Sequence, residues 1–448
     1  MSPTISWRRR PEGRASGMTI VRRPKGSKAI VMNEKSLSHL RRLAGKYAEY
    51  ALGDVMAQRR EKWRLHNGLQ ERTLPFHIED NGTFHRDLSP AFVCEDPLHQ
   101  SLEARLVRAI VSYEHIDDDR IIPDRFVVDW VTELDTCCDE LQFTHADDGY
   151  GGNLGFASNR PIKDIDGDFH KLKKRTLTLN RPATEKRAEL AADVFQGLLP
   201  VVVGRCGSLY SDSIASKAVE LMGMQELFLQ MALNPEAVHR LLTFLAEDNM
   251  ALGQWEEDQG LLTLNNDGNQ CYCAGSSQFS DEIPGRVIKP GEPILSKDCY
   301  GYLLVEEAAG LSPDMFAEFF MPHLRTCAAK FKLMKFGCCE PVHGIMSHLL
   351  ELNGLRKVSV TPLSKMETLA ANCPRGIIWS RKPVPLKLCG STFDPADFRA
   401  HLRETLEFGS NHFIEFIFRD TNLLTGKMEK RVAEACRIVR EVTEHPEQ

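Results

Sequence analysis

The stretch LMKFGCCEPVH (Leu333 to His343) places Cys338, Cys339, Glu340 and His343 within six residues, at the end of a run that reads as a strand. Thiolate, carboxylate and imidazole are the donor types that hold zinc, and they also serve as nucleophile, acid and base. Successive side chains of a strand point to opposite faces, so one of the two cysteines is expected at a site and the other packed as a small hydrophobe. Close zinc ligands are usually spaced by two or more residues. The pair therefore makes a metal site only with help from another strand, and Asp420 is the candidate for that help. The alternative reading is a strand end with buried thiols. His343 follows Pro341 where a helix begins, and fits either an exposed first-turn residue or a ligand. Cys271 and Cys273 form a second close pair, in a glycine-containing loop.

These residues need elements to position them. After Pro200, short apolar runs at PVVVGRC, LLTLNND, KLMKFGCC, LRKVSVTP, GIIWSRKP and HFIEFIFRDT alternate with helical patterns. Ser312-Pro313 and Asp394-Pro395 supply a capping residue followed by proline at the first helical position. With RFVVDWV (strand at Phe126 to Val131) the candidate strands number seven, and an eighth is sought between 142 and 175. Strand and helix in alternation predict a parallel sheet covered by helices. No glycine-rich dinucleotide loop follows any strand, so the expectation is an α/β chain forming a closed (β/α)8 TIM barrel with an N-terminal helical extension. In that architecture the residues closing each strand face the active site. They are Arg205 and Cys206; Asn265, Asn266 and Asp267; Cys338, Cys339 and Glu340; Thr361; Ser380, Arg381 and Lys382; Arg419 and Asp420. Strand ends also reach solvent and are polar for that reason alone.

The chain has 448 residues, of which 42% are apolar and 26% charged, and a net charge of −6. That balance gives no electrostatic footprint for nucleic acid, and no apolar run is long enough for a membrane span. Thirteen cysteines, an odd number, follow a start that lacks a secretory apolar core. Free or metal-bound thiols in a reducing, cytoplasmic setting are expected. Residues 1–32 read as a disordered basic tail, 33–119 as the helical extension, with leucines and tyrosines at three- and four-residue spacing from Asn33 to Trp63, and 120–448 as the barrel. A homodimer is the default for a soluble enzyme.

The segment LSPDMFAEFFMPHLRTCAAKF…MKFGCCEPVHGIMSHLLELNGLRKVSV resembles the uroporphyrinogen decarboxylase superfamily, in which an SPEMF-type helix precedes a strand ending in a cysteine-containing motif. The resemblance runs over roughly 120 to 445, and the chain as a whole is similar to a branch of that superfamily with a GCCEP strand end. It implies a single TIM barrel and one of two chemistries. One is cobalamin-dependent methyl transfer through a zinc-bound thiol, with the corrinoid on a separate protein. The other is cofactor-free decarboxylation of a carboxylate-rich tetrapyrrole. The chain departs from both. Gly337 stands where the methyltransferase pattern has histidine, and HFIEFIFRDT carries no cysteine. RLAGKYAEY (Arg42 to Tyr50) only echoes the decarboxylase's arginine-rich loop.

The function expected is methyl transfer between a small methylated compound and a corrinoid protein or thiol. Cys339 would be the principal thiolate, Glu340 and Asp420 acid, base or ligands, and Cys338, Cys339, Glu340 and Asp420 the zinc donors. Asn265, Asn266, Arg205, Arg381, Lys382, Arg419 and His343 would bind substrate. A metal-free decarboxylase and a non-catalytic cofactor-binding barrel are the alternatives.

Overall fold

The computed structural model describes residues 33–445 except 81, 148–152, 206, 267–274, 290 and 422–423, together with a short strand at Thr19–Ile20. The remainder of the 1–32 tail, Cys206, Asp267, Cys271 and Cys273 lie outside the described residues.

Asn33 starts the first helix by accepting the Ser36 N–H on its side chain (2.7 Å), and the helix runs Glu34–Leu52. Its Leu40, Leu43, Ala44, Tyr47, Ala48 and Ala51 are buried, as three- and four-residue spacing requires. Tyr47 meets the rings of Phe126 and Phe195 edge-on. A second helix follows at Asp54–Asn67. Ser312 and Asp394 cap Pro313–Phe319 and Pro395–Phe408 through their side chains. Among the described residues no helix is long and apolar enough to cross a membrane.

The closed eight-stranded barrel is not what forms. The main sheet has six parallel strands in the spatial order Phe76–Ile78, Ile414–Phe418, Ile378–Arg381, Leu355–Val360, Leu333–Phe336, Tyr300–Leu303. Phe126–Val128 and Val201–Val203 pair separately, in parallel, and Thr19–Ile20 joins Val202–Val203 antiparallel. The reason lies at the two edges, where side chains take the place of a continuing strand. The N–H groups of Phe76 and Ile78 are taken by the carboxylates of Asp119 and Asp118, both at 2.9 Å. At the other edge the Asn265 amide accepts from Tyr300 N–H (2.8 Å) and donates to Tyr300 C=O (2.9 Å). LLTLNND, expected as a strand, makes one bridge pair among its described residues, Leu262 with Arg205. The 142 to 175 region holds a separate hairpin, Phe143–Asp147 with Asn153–Ser158.

One face of the main sheet is apolar and lies under the helices, with Met334, Phe336, Val358, Val360, Trp379, Phe416 and Phe418 buried. The other face carries Lys335, Lys357, Ser359, Ser380 and Glu415, all fully buried. Lys357 Nζ pairs with Glu415 at 2.6 Å and Lys335 Nζ donates to Ser380 Oγ at 2.8 Å. Each bond skips over an intervening strand, so the sheet is curled with this polar face inside. Buried charge is stable only when paired and hydrogen-bonded, and here the lysines are.

Candidate functional site

The strand Leu333–Phe336 ends one residue before the cysteines. Gly337 has a φ of 95°, a backbone region open to glycine at little cost, and its carbonyl accepts the Ser359 hydroxyl at 2.6 Å. The turn breaks the strand alternation. Both thiols therefore come to one place, with Cys338 Sγ and Cys339 Sγ 3.6 Å apart. Cys338 is half-buried and Cys339 exposed. Glu340 holds the loop: buried, its carboxylate accepts from Val305 N–H (2.9 Å) and Cys338 N–H (2.7 Å). Burial raises its pKa.

Two cations from neighbouring strand ends converge on Cys338. Lys382 Nζ lies 3.5 Å from its sulfur and also donates to its carbonyl oxygen. Arg419 Nη1 lies 3.8 Å from the same sulfur, and its Nε is 3.3 Å from Glu79. The hydrogen bond from Cys339 and the charges of Lys382 and Arg419 lower the Cys338 thiol well below its ordinary range, against the effect of burial. Cys339 moves the opposite way, because it keeps the proton it donates to its neighbour. Glu306, three residues past the strand Tyr300–Leu303, completes the group: one oxygen of its carboxyl and the two sulfurs all lie within 4.8 Å of one another. Burial, with the Cys338 charge next, pushes its carboxyl up to about 7.

The donor set fits a zinc-type cation. With sulfurs about 2.3 Å from a tetrahedral zinc, the two sulfurs sit about 3.8 Å apart, close to the separation here. Glu306 Oε2 is buried without a hydrogen-bond partner, so it has an acceptor to spare. As ligands, two deprotonated cysteines and a carboxylate would leave one position of a tetrahedral ion open.

Of the residues singled out from sequence, the structure gathers Cys338, Cys339, Glu340, Lys382 and Arg419, with Glu340 bonded to backbone. Asn265, Asn266, Arg205 and Arg381 are engaged with partners of their own. Asn265 caps the sheet edge, and Asn266 donates to the carbonyls of Ser280 and Ile283. Arg205 pairs with buried Glu256 at 2.8 Å. Arg381 donates to the Thr361 carbonyl (2.9 Å) and to Thr405 (3.2 Å), and burial lowers it to about 10. Asp420 is exposed, with its N–H on Glu79 at 3.2 Å. His343 is half-buried and lowered by burial. Sequence reasoning misses Glu306 and Glu79. The signal for Glu306 is YGYLLVEEAAG, a short apolar run closed by two acids, whose glycine and tyrosines disguise a strand.

No family model and no curated protein sequence matches the chain. Among solved structures it is similar to a methyltransferase from Methanosarcina mazei, at 13% identity and a TM-score of 0.40, over 75% of this chain and 85% of that one. A likeness at that level assigns neither chemistry nor substrate.

Proposed function

We propose that this chain is a group-transfer enzyme centred on the Cys338 thiolate, moving a methyl group between a small methylated compound and a thiol or a corrinoid protein. The observation that carries it is the convergence of Lys382, Arg419, Cys339 and Glu306 on one sulfur. A thiolate is the nucleophilic form of cysteine, and neighbouring cations maintain it at neutral pH. The methyl assignment rests on the motif resemblance in GCCEP and its flanking helix.

Cys338, Cys339 and Glu306 would hold a zinc-type cation, which would lower the pKa of a thiol bound at the open position. The chain's own residues do the rest. Lys382 and Arg419 offset the negative charge of the sulfurs. Glu340 and Gly337 fix the loop that presents both sulfurs on one side. The raised carboxyl of Glu306 would hold a proton in part near neutral pH and would have to give it up to act as a ligand.

The test uses the purified full-length chain and its Cys338→Ala variant. Zinc content after equilibration with zinc and dialysis is read by elemental analysis, and demethylation of free methylcobalamin by a small thiol is read by visible absorbance. About one zinc per chain and thiol-dependent demethylation, both lost in the variant, are expected. Turnover no faster than the variant's removes the methyl-transfer reading, and zinc retained by the variant removes the metal assignment.

A further inference from the structure

Two sulfurs on adjacent residues, one beside two cations and the other exposed, have a second chemistry. We propose that Cys338 and Cys339 form a peroxide-sensitive pair that closes reversibly to a disulfide, shutting off the site they build. This rests on the Cys338 sulfur as the nucleophile of the function proposed above, set beside Lys382 and Arg419, but not on the cation or the methyl group.

The geometry separates the roles. Cys338, with Lys382 Nζ at 3.5 Å and Arg419 Nη1 at 3.8 Å, is the nucleophilic partner. Cys339 is exposed, so it opens the pair to solvent, and its sulfur is 3.6 Å away. In the first step the Cys338 sulfur attacks one oxygen of a hydroperoxide. An S–O bond forms, the O–O bond breaks, and the departing oxygen leaves with a solvent proton as water or an alcohol. Cys338 is oxidised to the sulfenic acid and the peroxide is reduced. In the second step the Cys339 sulfur attacks that of Cys338. The S–S bond forms, the S–O bond breaks, and the hydroxyl leaves with the Cys339 proton as water. A small dithiol reverses the step by exchange.

Reversibility follows from chain geometry. Adjacent Cα atoms are about 3.8 Å apart across a trans peptide, below the usual range of about 4.4 to 6.8 Å for disulfide-linked residues. The ring is strained, and strained disulfides are the easily reduced ones. The other described cysteines are buried, and burial raises the thiols of Cys94, Cys137, Cys327, Cys373 and Cys436, so among the described cysteines oxidation is directed to this pair. Closing the disulfide removes two of the three cation donors and the nucleophile together.

The experiment treats the full-length chain, stripped of metal by a chelator, with one equivalent of hydrogen peroxide, followed by trypsin. The peptide 336–356 contains Cys338 and Cys339 and no other cysteine. In the wild type it becomes lighter by two hydrogens and returns to its starting mass with dithiothreitol. Cys339→Ser stops at the sulfenic acid, trapped by dimedone at Cys338. Cys338→Ser consumes peroxide at least about tenfold more slowly, since the sulfur beside Lys382 and Arg419 is gone. A wild-type peptide that gains two or three oxygens instead, or a dimedone adduct at Cys339 in the Cys338→Ser variant, overturns the proposal. Zinc content and methylcobalamin turnover on the same preparations show separately whether the metal or the methyl reading has failed.

Discussion

Removing the positive charge of Lys382 should raise the pH at which Cys338 becomes reactive. The perturbation is Lys382→Met, which keeps most of the aliphatic stem. Lys382 is 4% exposed, and its Nζ lies 3.5 Å from the Cys338 sulfur. Opposite unit charges at that distance attract by about 1.2 kcal/mol in bulk water and about 4.7 kcal/mol at an effective dielectric constant near 20. At about 1.36 kcal/mol per pKa unit, these limits are about 0.9 and 3.5 units. With lysine buried and the thiol within reach of solvent, ~2 units is the working expectation. The sign is fixed because a cation favours the thiolate and its loss favours the thiol. The assay is the rate of iodoacetamide alkylation against pH on metal-free protein, mapped to Cys338 in peptide 336–356. Arg419→Met is the internal comparison, with a smaller shift because that arginine is farther away and shared with Glu79. A midpoint for Lys382→Met within half a unit of wild type would show that lysine does not maintain the thiolate.

Glu306→Gln should remove the carboxyl's share of the pH dependence of zinc affinity near neutral pH, because the carboxyl pushed up to about 7 must lose its proton before it ligates, and leave the share of the raised Cys339 thiol; titration calorimetry with zinc at several pH values reads this. Lys357→Met leaves Glu415 charged and buried without its 2.6 Å partner and should cost about 3 to 5 kcal/mol in urea unfolding, most of it recovered by adding Glu415→Leu. The Glu415 pKa is lowered to about 2 from 4.5, burial opposing the Lys357 charge that lowers it. A depressed carboxylate contributes stability above its unfolded pKa, so that contribution should be complete above about pH 5 and drain away as pH falls towards 2. Gly337→Ala meets a left-handed backbone and the Ser359 Cβ at 3.3 Å; about 1 to 2 kcal/mol lost, with weaker zinc binding, is expected, and unchanged stability would mean that the turn tolerates a side chain.

Sequence patterning makes most of the sheet legible. LMKF, VSV, IIW and FIEFIF are apolar enough to stand out, and Leu333–Phe336, Leu355–Val360, Ile378–Arg381 and Ile414–Phe418 are consecutive neighbours. What the pattern does not show is how a sheet ends. Asp118, Asp119 and Asn265 satisfy edge backbone groups through their side chains, an option that leaves no periodic trace, so the alternation extends on paper to a closed cylinder that does not form. Phe76–Ile78 and Tyr300–Leu303 are short, and histidine, glycine and tyrosine hide them. At the site, the cysteine pair is legible by residue type. Its geometry is not, because the alternation rule for neighbouring side chains lapses where Gly337 turns the backbone. Glu306 follows one of the hidden strands.

The lysines inside the curled sheet act as a lock on strand register. A slip of one residue in Leu355–Val360 would turn Lys357 and Ser359 into the apolar layer under the helices, and bring Val358 and Val360 against Glu415. An all-aliphatic interior would penalise such a slip far less, since valine is content on either side. The same slip would shift the Ser359 hydroxyl away from the Gly337 carbonyl and displace the loop that carries both thiols. The cost of burying those charges therefore sets the height at which the two sulfurs stand, a proofreading of alignment made during folding rather than during turnover.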